Sequence, residues 1–405
     1  MTKMIKFFIL LLLIIGLSAC GNGAGQPNSV ESDNSMPASA AHPQAEFALT
    51  EITIKGEVYS TDLTVLDLGS LRLIDSDIEP LRYMTNLTAL NLNDNRISDI
   101  SALSGLTNLT ALHLGGNEIS DINALSGLNS LTILGLWSNP ISDINVLSEF
   151  TALEWLSLDG TQINDISAFS ELTALNHLAL RRTQISDIYA LGGLANLAQL
   201  ELSNNQVSDI SVLSALTALE RLRLSHNQIS DISALSGLTN LTVLYLGWNQ
   251  ISDISALSGL TNLTELLLNN NQISNLNALS GLTNLTRLEL QNNQVSDINA
   301  LSKLTALEVL YLHNNQISDL NALSGLTNLE HLYLSNNQIG DINALGEIAA
   351  LLVLLLEHNQ ISDLNALSEL ANLTNLSNLH LAIHGNPITE TQGDELRAMF
   401  PGIFF

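Results

Sequence analysis

Apolar and polar positions follow one pattern along most of the chain, and this pattern repeats every 22 residues. The frame is L-x-x-L-x-L-x-x-N-x-I-x-D-I-x-x-L-x-x-L, and it starts near Ile52. Its asparagine slot recurs without a slip in spacing, at Asn95, Asn117, Asn139, Thr161, Thr183, Asn205, Asn227, Asn249, Asn271, Asn293, Asn315, Asn337 and Asn359. A fixed period of this length indicates a solenoid in which each turn stacks on the next.

Each repeat predicts a short strand followed by a short helical turn. In the segment 243–247 (VLYLG), the two leucines share one face of a strand and Val243, Tyr245 and Gly247 share the other, because side chains alternate across a strand. One face is therefore core and the other is open. In the segment 251–259 (ISDISALSG), the apolar residues are three apart, which suits a 3₁₀ or helical turn on the outer wall.

The asparagine of the frame has a predicted structural role. Asn249 can offer its amide N–H groups and its carbonyl to the backbone of the turn that leaves the strand, so successive asparagines should stack as a ladder. Thr161 and Thr183 interrupt this ladder with one hydroxyl each, and we expect a local change of curvature there. A single repeat cannot offset the entropy of its own ordering, so stability is shared along the array.

The pattern L-x-x-L-x-L-x-x-N marks a leucine-rich repeat. The 22-residue version with I-S-D-I-S-A-L after the asparagine resembles the repeats of the internalins, bacterial surface proteins that grip a partner protein with a curved repeat domain. The resemblance implies an α/β solenoid, an arc with a parallel β-sheet on its concave face and short 3₁₀ or helical turns on its convex face. Residues 87–372 are predicted to form thirteen such repeats.

The repeat departs from its frame at both ends. The segment 47–86, with Leu71 in the asparagine slot, is interpreted as an N-terminal cap and a degenerate first repeat. At the other end, Asn386 follows Asn359 by 27 residues instead of 22. The segment 373–405 is therefore interpreted as an irregular last repeat with an insertion, followed by a tail that resembles the C-terminal cap common in this repeat class.

The first residues have the layout of a secretory signal. Lys3 and Lys6 give a positive start, residues 7–17 form an apolar run too short to span a bilayer, and small residues follow. Residues 1–19 are therefore predicted to be a signal peptide, and the protein is predicted to be exported.

The end of this signal resembles the lipobox of bacterial lipoproteins, in which the peptide is cut before a cysteine that carries lipid. Residues 17–20 read Leu-Ser-Ala-Cys, and Cys20 is the only cysteine of the chain, so no disulfide framework competes for it. The alternative is an incidental cysteine inside a removed signal. The resemblance implies a lipid anchor on Cys20, and the segment 20–46, rich in Gly, Pro, Ser, Asn and Ala, is interpreted as the lipidated N-terminus and a flexible linker.

The charge of the chain excludes some partners. It contains 13 Lys and Arg against 40 Asp and Glu, for a net charge of -27. So acidic a chain is repelled by phosphate backbones, which argues against a nucleic-acid partner. The sequence has neither a G-x-S-x-G elbow nor a glycine-rich phosphate loop. We predict a protein that is not an enzyme and holds no cofactor.

A partner must bind the outward strand positions and the loop just beyond them, because the frame residues build the core. These positions vary between repeats and carry residue types enriched in binding hot spots, whereas convex positions stay at Ser, Asp, Asn and Ala. Free variation of surface residues is the alternative. The predicted partner-binding residues are Trp137, Trp155, His177, Arg181, Arg182, Arg221 and Arg223 in a middle patch, Arg287, Tyr311, His313, His331, Tyr333 and His358 in a later patch, and Tyr245 and Trp248 between them. Arginines on an acidic body suggest a partner that presents carboxylates beside apolar surface.

Two sets of residues could bind a metal ion instead of having a structural or surface role. The aspartate of I-S-D-I recurs in every repeat except at Asn275, which suggests either a calcium-binding ladder or, more simply, a cap before each helical turn. His313, His331 and His358 lie on consecutive turns, but they occupy different columns of the face, which disfavours zinc. We predict no metal.

The sequence thus predicts a lipid-anchored bacterial protein, at the outer membrane or cell surface, that binds a partner protein through its concave face as an adhesin or receptor. The alternative is an envelope structural or assembly factor that binds a protein or polysaccharide of its own cell. Exposed aromatic residues with Asp and Asn nearby would favour sugar, and a mixed Trp and Arg strip favours protein.

Overall fold

A computed structural model describes residues 49–367 and 379–399. The chain of this part alternates short strands with short helical turns. The strands are β1 Glu51–Ile54, β2 Glu57–Ser60, β3 Val65–Asp67, β4 Ala89–Asn91, β5 Ala111–His113, β6 Ile133–Gly135, β7 Trp155–Ser157, β8 His177–Ala179, β9 Gln199–Glu201, β10 Arg221–Arg223, β11 Val243–Tyr245, β12 Glu265–Leu267, β13 Arg287–Glu289, β14 Val309–Tyr311, β15 His331–Tyr333, β16 Val353–Leu355 and β17 His380–Ala382.

The helical turns lie on the side of each repeat opposite its strand. The α-helices that lie wholly within the described residues are α1 Asp75–Ile78 and α2 Glu390–Met399. The 3₁₀ helices are Glu79–Tyr83, Ser101–Leu103, Asn123–Leu125, Asn145–Glu149, Ser167–Glu171, Tyr189–Gly193, Ser211–Ala215, Ser233–Leu235, Ser255–Leu257, Asn277–Leu279, Asn299–Lys303, Asn321–Leu323 and Asn343–Leu345.

The main sheet is parallel and follows the order of the chain. β1 and β2 form a separate antiparallel hairpin, and β3 to β17 form one 15-stranded sheet in which each strand pairs with the next. Leu244 pairs with Leu222 on one side and with Leu266 on the other, so each residue lies beside its counterpart one repeat away. The predicted α/β solenoid, with a parallel sheet on one face and 3₁₀ turns on the other, is confirmed.

The core consists of the frame leucines and isoleucines. Leu244 and Leu246 are fully buried and Ile254 is 2% exposed, and the same positions are buried in the other repeats. Each stacks between its counterparts in the two neighbouring turns, and burial of such a side chain stabilises the fold by about 1.5–3 kcal/mol. These residues form one continuous cluster that extends from Ile52 to Leu396 within the described residues.

The asparagine ladder is confirmed. Asn249 accepts the backbone N–H of Ile229 at 3.0 Å, and its amide donates to the carbonyls of Leu224 and Leu246, both at 3.0 Å. One side chain therefore satisfies groups in its own turn and in the turn before it. The parallel register continues unchanged from β6 to β9, past Thr161 and Thr183, so the interruption leaves the strand pairing intact.

The aspartates of the I-S-D-I motif cap the convex turns. From Asp99 to Asp363, each one accepts the backbone N–H two residues further on, at 2.8–3.0 Å, and Asn275 does the same in its repeat. This hydrogen bond lowers the pKa of Asp165, Asp209 and Asp231, because it favours the ionised carboxylate. The motif therefore has a structural function in every repeat.

The ends of the array are closed by polar contacts. At the start, the Nζ of Lys55 donates to the carbonyl of Leu71 at 2.9 Å, in the turn that lacks its own ladder asparagine. At the end, Asn386 accepts the N–H of Ile361 at 3.0 Å and continues the ladder despite the five extra residues. In helix α2, Leu396 is fully buried.

Some expectations fall on parts of the chain outside the described residues. These are the signal peptide 1–19, the lipid site Cys20, the linker 20–46 and most of the insertion that follows residue 372. In the part of the chain that the structure describes, no helix is both long and apolar enough to cross a membrane.

Candidate binding face

Each turn has four positions on its open side. In the turn of β11 these are Val243 and Tyr245 in the strand, Gly247 after the next core leucine, and Trp248 directly before the ladder asparagine. We call the first three positions the concave face and the fourth position the rim. In every described turn from β3 to β17 the rim residue has a positive φ, between 53° and 74°. The rim is therefore a column of left-handed backbone, which favours Gly, Asn and Asp.

The middle patch begins with a cluster of aromatic rings. Trp155 stacks on His177, with 5.3 Å between ring centroids and 12° between planes, and a tilted His113 lies 6.4 Å from Trp155. Gly135 lies on the strand between His113 and Trp155, where a Cβ would come within 3.3 Å of the imidazole of His113. Burial lowers the pKa of His113 and His177, because desolvation disfavours the charged imidazolium. The cluster is thus a preformed, largely uncharged surface.

Trp137 lies in another column, next to this cluster. Its indole covers Gly115 of the preceding turn so closely that a Cβ there would be 2.1 Å from Cε2 of the indole. With the indole in this position, only glycine fits at position 115. Trp137 is half-buried and broadens the aromatic surface towards the rim.

Next to the aromatic cluster, charged side chains form a chain of ion pairs across successive turns. Arg181 lies between Asp159, at 2.7 Å, and Glu201, at 3.0 Å, and Arg223 pairs with the other oxygen of Glu201. Burial opposes the charge of Arg181, but the hydrogen bond and charges of Asp159 and Glu201 outweigh it, so the pKa of Arg181 is raised. Glu201 is buried, and a buried carboxylate needs such partners.

The network continues through Tyr245. The guanidinium of Arg223 lies over the ring of Tyr245, 5.1 Å from its centroid, and the tyrosine hydroxyl donates to Glu265 at 2.5 Å. Burial, together with the neighbouring carboxylate of Glu265, raises the pKa of Tyr245. Six consecutive turns, from Asp159 to Glu265, are therefore tied together along the concave face.

The later patch also combines an ion pair with stacked aromatic rings. Arg287 pairs with Glu289 of its own strand and lies 5.4 Å over the ring of Tyr311. Tyr311 and Tyr333 stack with 4.1 Å between centroids and 5° between planes. His313 meets Tyr311 edge-on at 6.2 Å, and burial lowers the pKa of His313.

Three predicted partner-binding residues, together with the histidine that stacks on one of them, lie on the rim and not on the strands. Arg182, His226, Trp248 and His358 have φ values of 54° to 59°. His226 and Trp248 stack with 5.1 Å between centroids and 13° between planes, and His358 meets His384 edge-on at 5.0 Å. These residues form a surface distinct from the concave face.

Several of the predicted arginines already have acidic partners within the protein. The sequence suggests a partner that presents carboxylates to them, but Arg181, Arg223 and Arg287 are paired with carboxylates of the same face. Within the described residues, Arg182 and Arg221 are exposed and have no such ion pair. From β7 to β13 the other arginines of the concave face are therefore paired within that face, by carboxylates on neighbouring turns or, for Arg287, on the same strand.

The acidic partners were missed by sequence reasoning, although the sequence contains a signal for two of them. Asp159 and Arg181 are 22 residues apart, as are Glu201 and Arg223. A spacing of one repeat places two residues in the same column of adjacent turns, where opposite charges pair. Glu265 is offset from its partner Tyr245 by a different spacing, so the repeat does not reveal that contact.

The described residues contain no group of three or more His, Cys, Asp or Glu side chains arranged to hold a metal ion. His331 lies in strand β15, His313 follows β14 by two residues, and His358 lies on the rim, so these three histidines occupy different columns.

Comparison with known proteins identifies the family. A model of leucine-rich repeats in pairs of copies matches residues 85–127, 107–149, 195–236, 217–259, 261–303 and 305–347, which together exceed half of the chain. The chain belongs to the leucine-rich repeat family. A solved internalin of Listeria monocytogenes is 35% identical, with a TM-score of 0.70, over 79% of this chain and 90% of that one, so the chain is an internalin-like leucine-rich repeat protein.

Other solved structures share the fold. A leucine-rich repeat protein of Leptospira interrogans is 26% identical, with a TM-score of 0.71, over 85% of this chain and 96% of that one. The plant peptide hormone receptor RGFR1, solved in complex with RGF2, is 22% identical, with a TM-score of 0.67, over 84% of this chain and 68% of that one, which shows the fold alone. No curated protein matches the sequence.

Proposed function

We propose that this protein is a bacterial surface lipoprotein, without enzymatic activity, that binds a partner protein through the concave face of its internalin-like repeats. The observation that carries the proposal is the arrangement of that face. Two aromatic clusters, one around Trp155 and one around Tyr311, lie on either side of a charge-compensated network centred on Glu201. Aromatic and arginine side chains are the residues that most often dominate binding energy at protein interfaces.

The ion pairs and stacked rings support the proposal because they order the surface before a partner arrives. Arg223 is held by Glu201 on one side and by Tyr245 on the other. Side chains that are already fixed lose less conformational entropy on binding. The partner that fits such a face presents apolar groups to the aromatic clusters, and carboxylates to the exposed Arg221 of β10 and to Arg182 on the adjoining rim.

The proposed cellular location follows from the first twenty residues. Lipid on Cys20 would hold the protein at a bacterial membrane, and the segment 20–46 would separate the repeats from the lipid surface. An internalin of Listeria monocytogenes is among the similar solved structures, which supports a place at the cell surface.

The concave face is tested by the pair Trp155→Ala and Arg223→Ala in the full chain. Central aromatic and arginine anchors often contribute about 2 kcal/mol or more each, so the double variant should weaken partner binding by several kcal/mol. The fold should persist, because Glu201 keeps its contact with Arg181. The measurement is quantitative capture of extracellular proteins by wild type and variant, followed by titration of the protein that differs.

The matched control is Ser255→Ala with Ser258→Ala, two exposed residues of the convex side. Binding by this variant should equal that of wild type. If the convex pair weakened binding as much as the concave pair at equal thermal stability, the partner would bind the outer wall and the proposed face would be wrong.

The proposed lipid attachment and membrane location are tested by Cys20→Ser. A serine cannot carry the thioether-linked lipid, so the variant should leave the detergent phase and appear in unprocessed or soluble form. Mass spectrometry of the wild-type N-terminus reports the lipid directly. Unchanged processing and membrane retention of the variant would contradict the lipobox.

A further inference from the structure

The rim holds a residue that the fold does not need. Trp248 is 52% exposed and sits at φ 59°, in a column where most other turns have Asn, Gly, Asp or Ser and the remaining ones have Arg182, His226 and His358. A bulky side chain in left-handed backbone costs on the order of 1–2 kcal/mol relative to glycine. Neither burial nor backbone geometry explains an indole at this position.

The indole is held as a flat platform. His226, one turn before it on the rim, covers one face of Trp248 in a nearly parallel stack with 13° between planes. Because His226 also has positive φ, two successive turns depart from the small residues favoured there. The stack leaves half of the indole surface open to solvent beyond the concave face.

Beyond this platform the rim is a ribbon of neutral amides. In the four turns that follow Trp248, the rim position holds Asn270, Asn292, Asn314 and Asn336, and the last three of these side chains are exposed. A second column of amides lies beside the rim. In each turn it is the residue directly after the ladder asparagine, and its exposed members are Gln228, Gln250, Gln272, Gln294, Gln316 and Gln338. From Asn204 to Asn336 the rim column contains no Asp, Glu, Lys or Arg, in a chain with a net charge of -27.

We propose that this rim, from His226 to Asn336, binds a neutral, linear, β-linked polysaccharide, with Trp248 stacking against one sugar ring. The apolar C–H face of a β-linked pyranose packs flat on an indole, and its hydroxyls exchange hydrogen bonds with amides, which both donate and accept. Turns of the solenoid follow one another about 4.8 Å apart at the sheet, close to the advance of an extended β-linked chain per sugar. Successive turns can therefore present amides to successive sugars.

The surroundings of Trp248 favour sugar over a second protein site. A tryptophan hot spot at a protein interface is usually central, desolvated and accompanied by arginine or apolar neighbours. Here the neighbours are amides and a histidine, and the ring lies at the edge of the open side. This binding site is separate from the concave face of the proposed function and does not depend on it.

The test is Trp248→Asn in the full-length protein. Asparagine is the residue that the next turns have at this position, so the variant should fold and be at least as stable as wild type. The probes are hexamers of β-1,4-linked N-acetylglucosamine and of β-1,4-linked glucose, titrated by calorimetry and by tryptophan fluorescence. Wild type should bind at least one of them, which also identifies the sugar, and Trp248→Asn should bind it at least tenfold more weakly.

Two further variants sharpen the result. Gln272→Ala with Gln294→Ala removes two amides without altering the rim backbone and should weaken binding of the same hexamer several-fold. Tyr189→Ala removes an aromatic residue that is 82% exposed on a convex turn, and it should leave sugar binding unchanged.

Several outcomes would overturn the polysaccharide site. They are failure of wild type to bind either β-linked hexamer, equal binding by Trp248→Asn, and equal binding of an α-1,4-linked glucose hexamer. If Trp248→Asn lost capture of a partner protein and wild type bound no hexamer, the rim would belong to the protein interface. Loss of protein capture by Trp155→Ala with Arg223→Ala, with sugar binding kept, would show that the two surfaces act separately.

Discussion

At the scale of the residue, each position of the repeat is decided by one physical demand. The frame leucine must be apolar because its side chain is fully enclosed, as for Leu244. The ladder residue must offer both donors and an acceptor, as Asn249 does. Thr161 meets this demand only in part, since its hydroxyl donates to the carbonyl of Leu158 at 2.7 Å and offers no amide. The array therefore contains positions at which a substitution should increase the stability of the fold.

Thr161→Asn should stabilise the protein. By analogy with Asn139, the new side chain would accept the N–H of Ile141 and donate to the carbonyl of Leu136. Two additional hydrogen bonds at about 1 kcal/mol each give a gain of about 2 kcal/mol in the free energy of unfolding. The measurement is the midpoint of urea denaturation.

Thr161→Val is the matched control. It removes the bond to Leu158 while keeping the shape of the side chain, so it should destabilise the protein by about 1 kcal/mol. A Thr161→Asn protein no more stable than wild type would mean that the turn at this position has a geometry of its own, as the curvature hypothesis requires.

At the scale of the element, the convex 3₁₀ turn depends on its capping aspartate. These turns are three to five residues long and make few hydrogen bonds of their own. The N–H of Ser233 is satisfied by Asp231 at 2.8 Å. In one repeat Asn275 performs the same function for Asn277 at 2.9 Å, so the array itself shows that the negative charge is dispensable.

The triple variant Asp165→Asn, Asp209→Asn, Asp231→Asn should be as stable as wild type at neutral pH and less sensitive to acid. The pKa of each carboxyl is lowered in the folded state, so the unfolded chain binds protons first as the pH falls. The stabilisation from the carboxylates is therefore present above their ordinary pKa and is lost as the pH falls below about 4. Thermal melts at about pH 5 and about pH 3 measure the difference.

The corresponding triple alanine variant removes the acceptor altogether and should be destabilised at both pH values. If the asparagine variant lost as much stability at neutral pH as the alanine variant, the caps would depend on charge and not on the hydrogen bond.

At the scale of the whole molecule, the period of the sequence explains why the fold was predictable and the site only in part. A repeat of 22 residues places each residue beside its counterpart one turn away, so the sheet and the core follow from the spacing alone. The same spacing identified the columns that hold Trp155 and Arg223. It did not reveal that Arg181 contacts two carboxylates, because that depends on side-chain conformation. Nor did it reveal the positive φ of Trp248, although the Asn and Gly residues of the rim column were a usable signal.

Because every turn is stabilised by the turns on either side, damage to one should spread. Leu244→Asp places a carboxylate in a fully buried position between Leu222 and Leu266. Truncation of a buried leucine alone typically costs about 2–5 kcal/mol, and an unpaired buried charge costs more. In an array with nearest-neighbour coupling, the result should be loss of hydrogen-exchange protection over several turns on both sides of β11. Ser255→Asp, which adds the same charge to the exposed side of that repeat, should leave protection unchanged. If the turns of β10 and β12 stayed protected in Leu244→Asp, each repeat would be stable on its own, and the array would not be the cooperative unit that its continuous core and ladder imply.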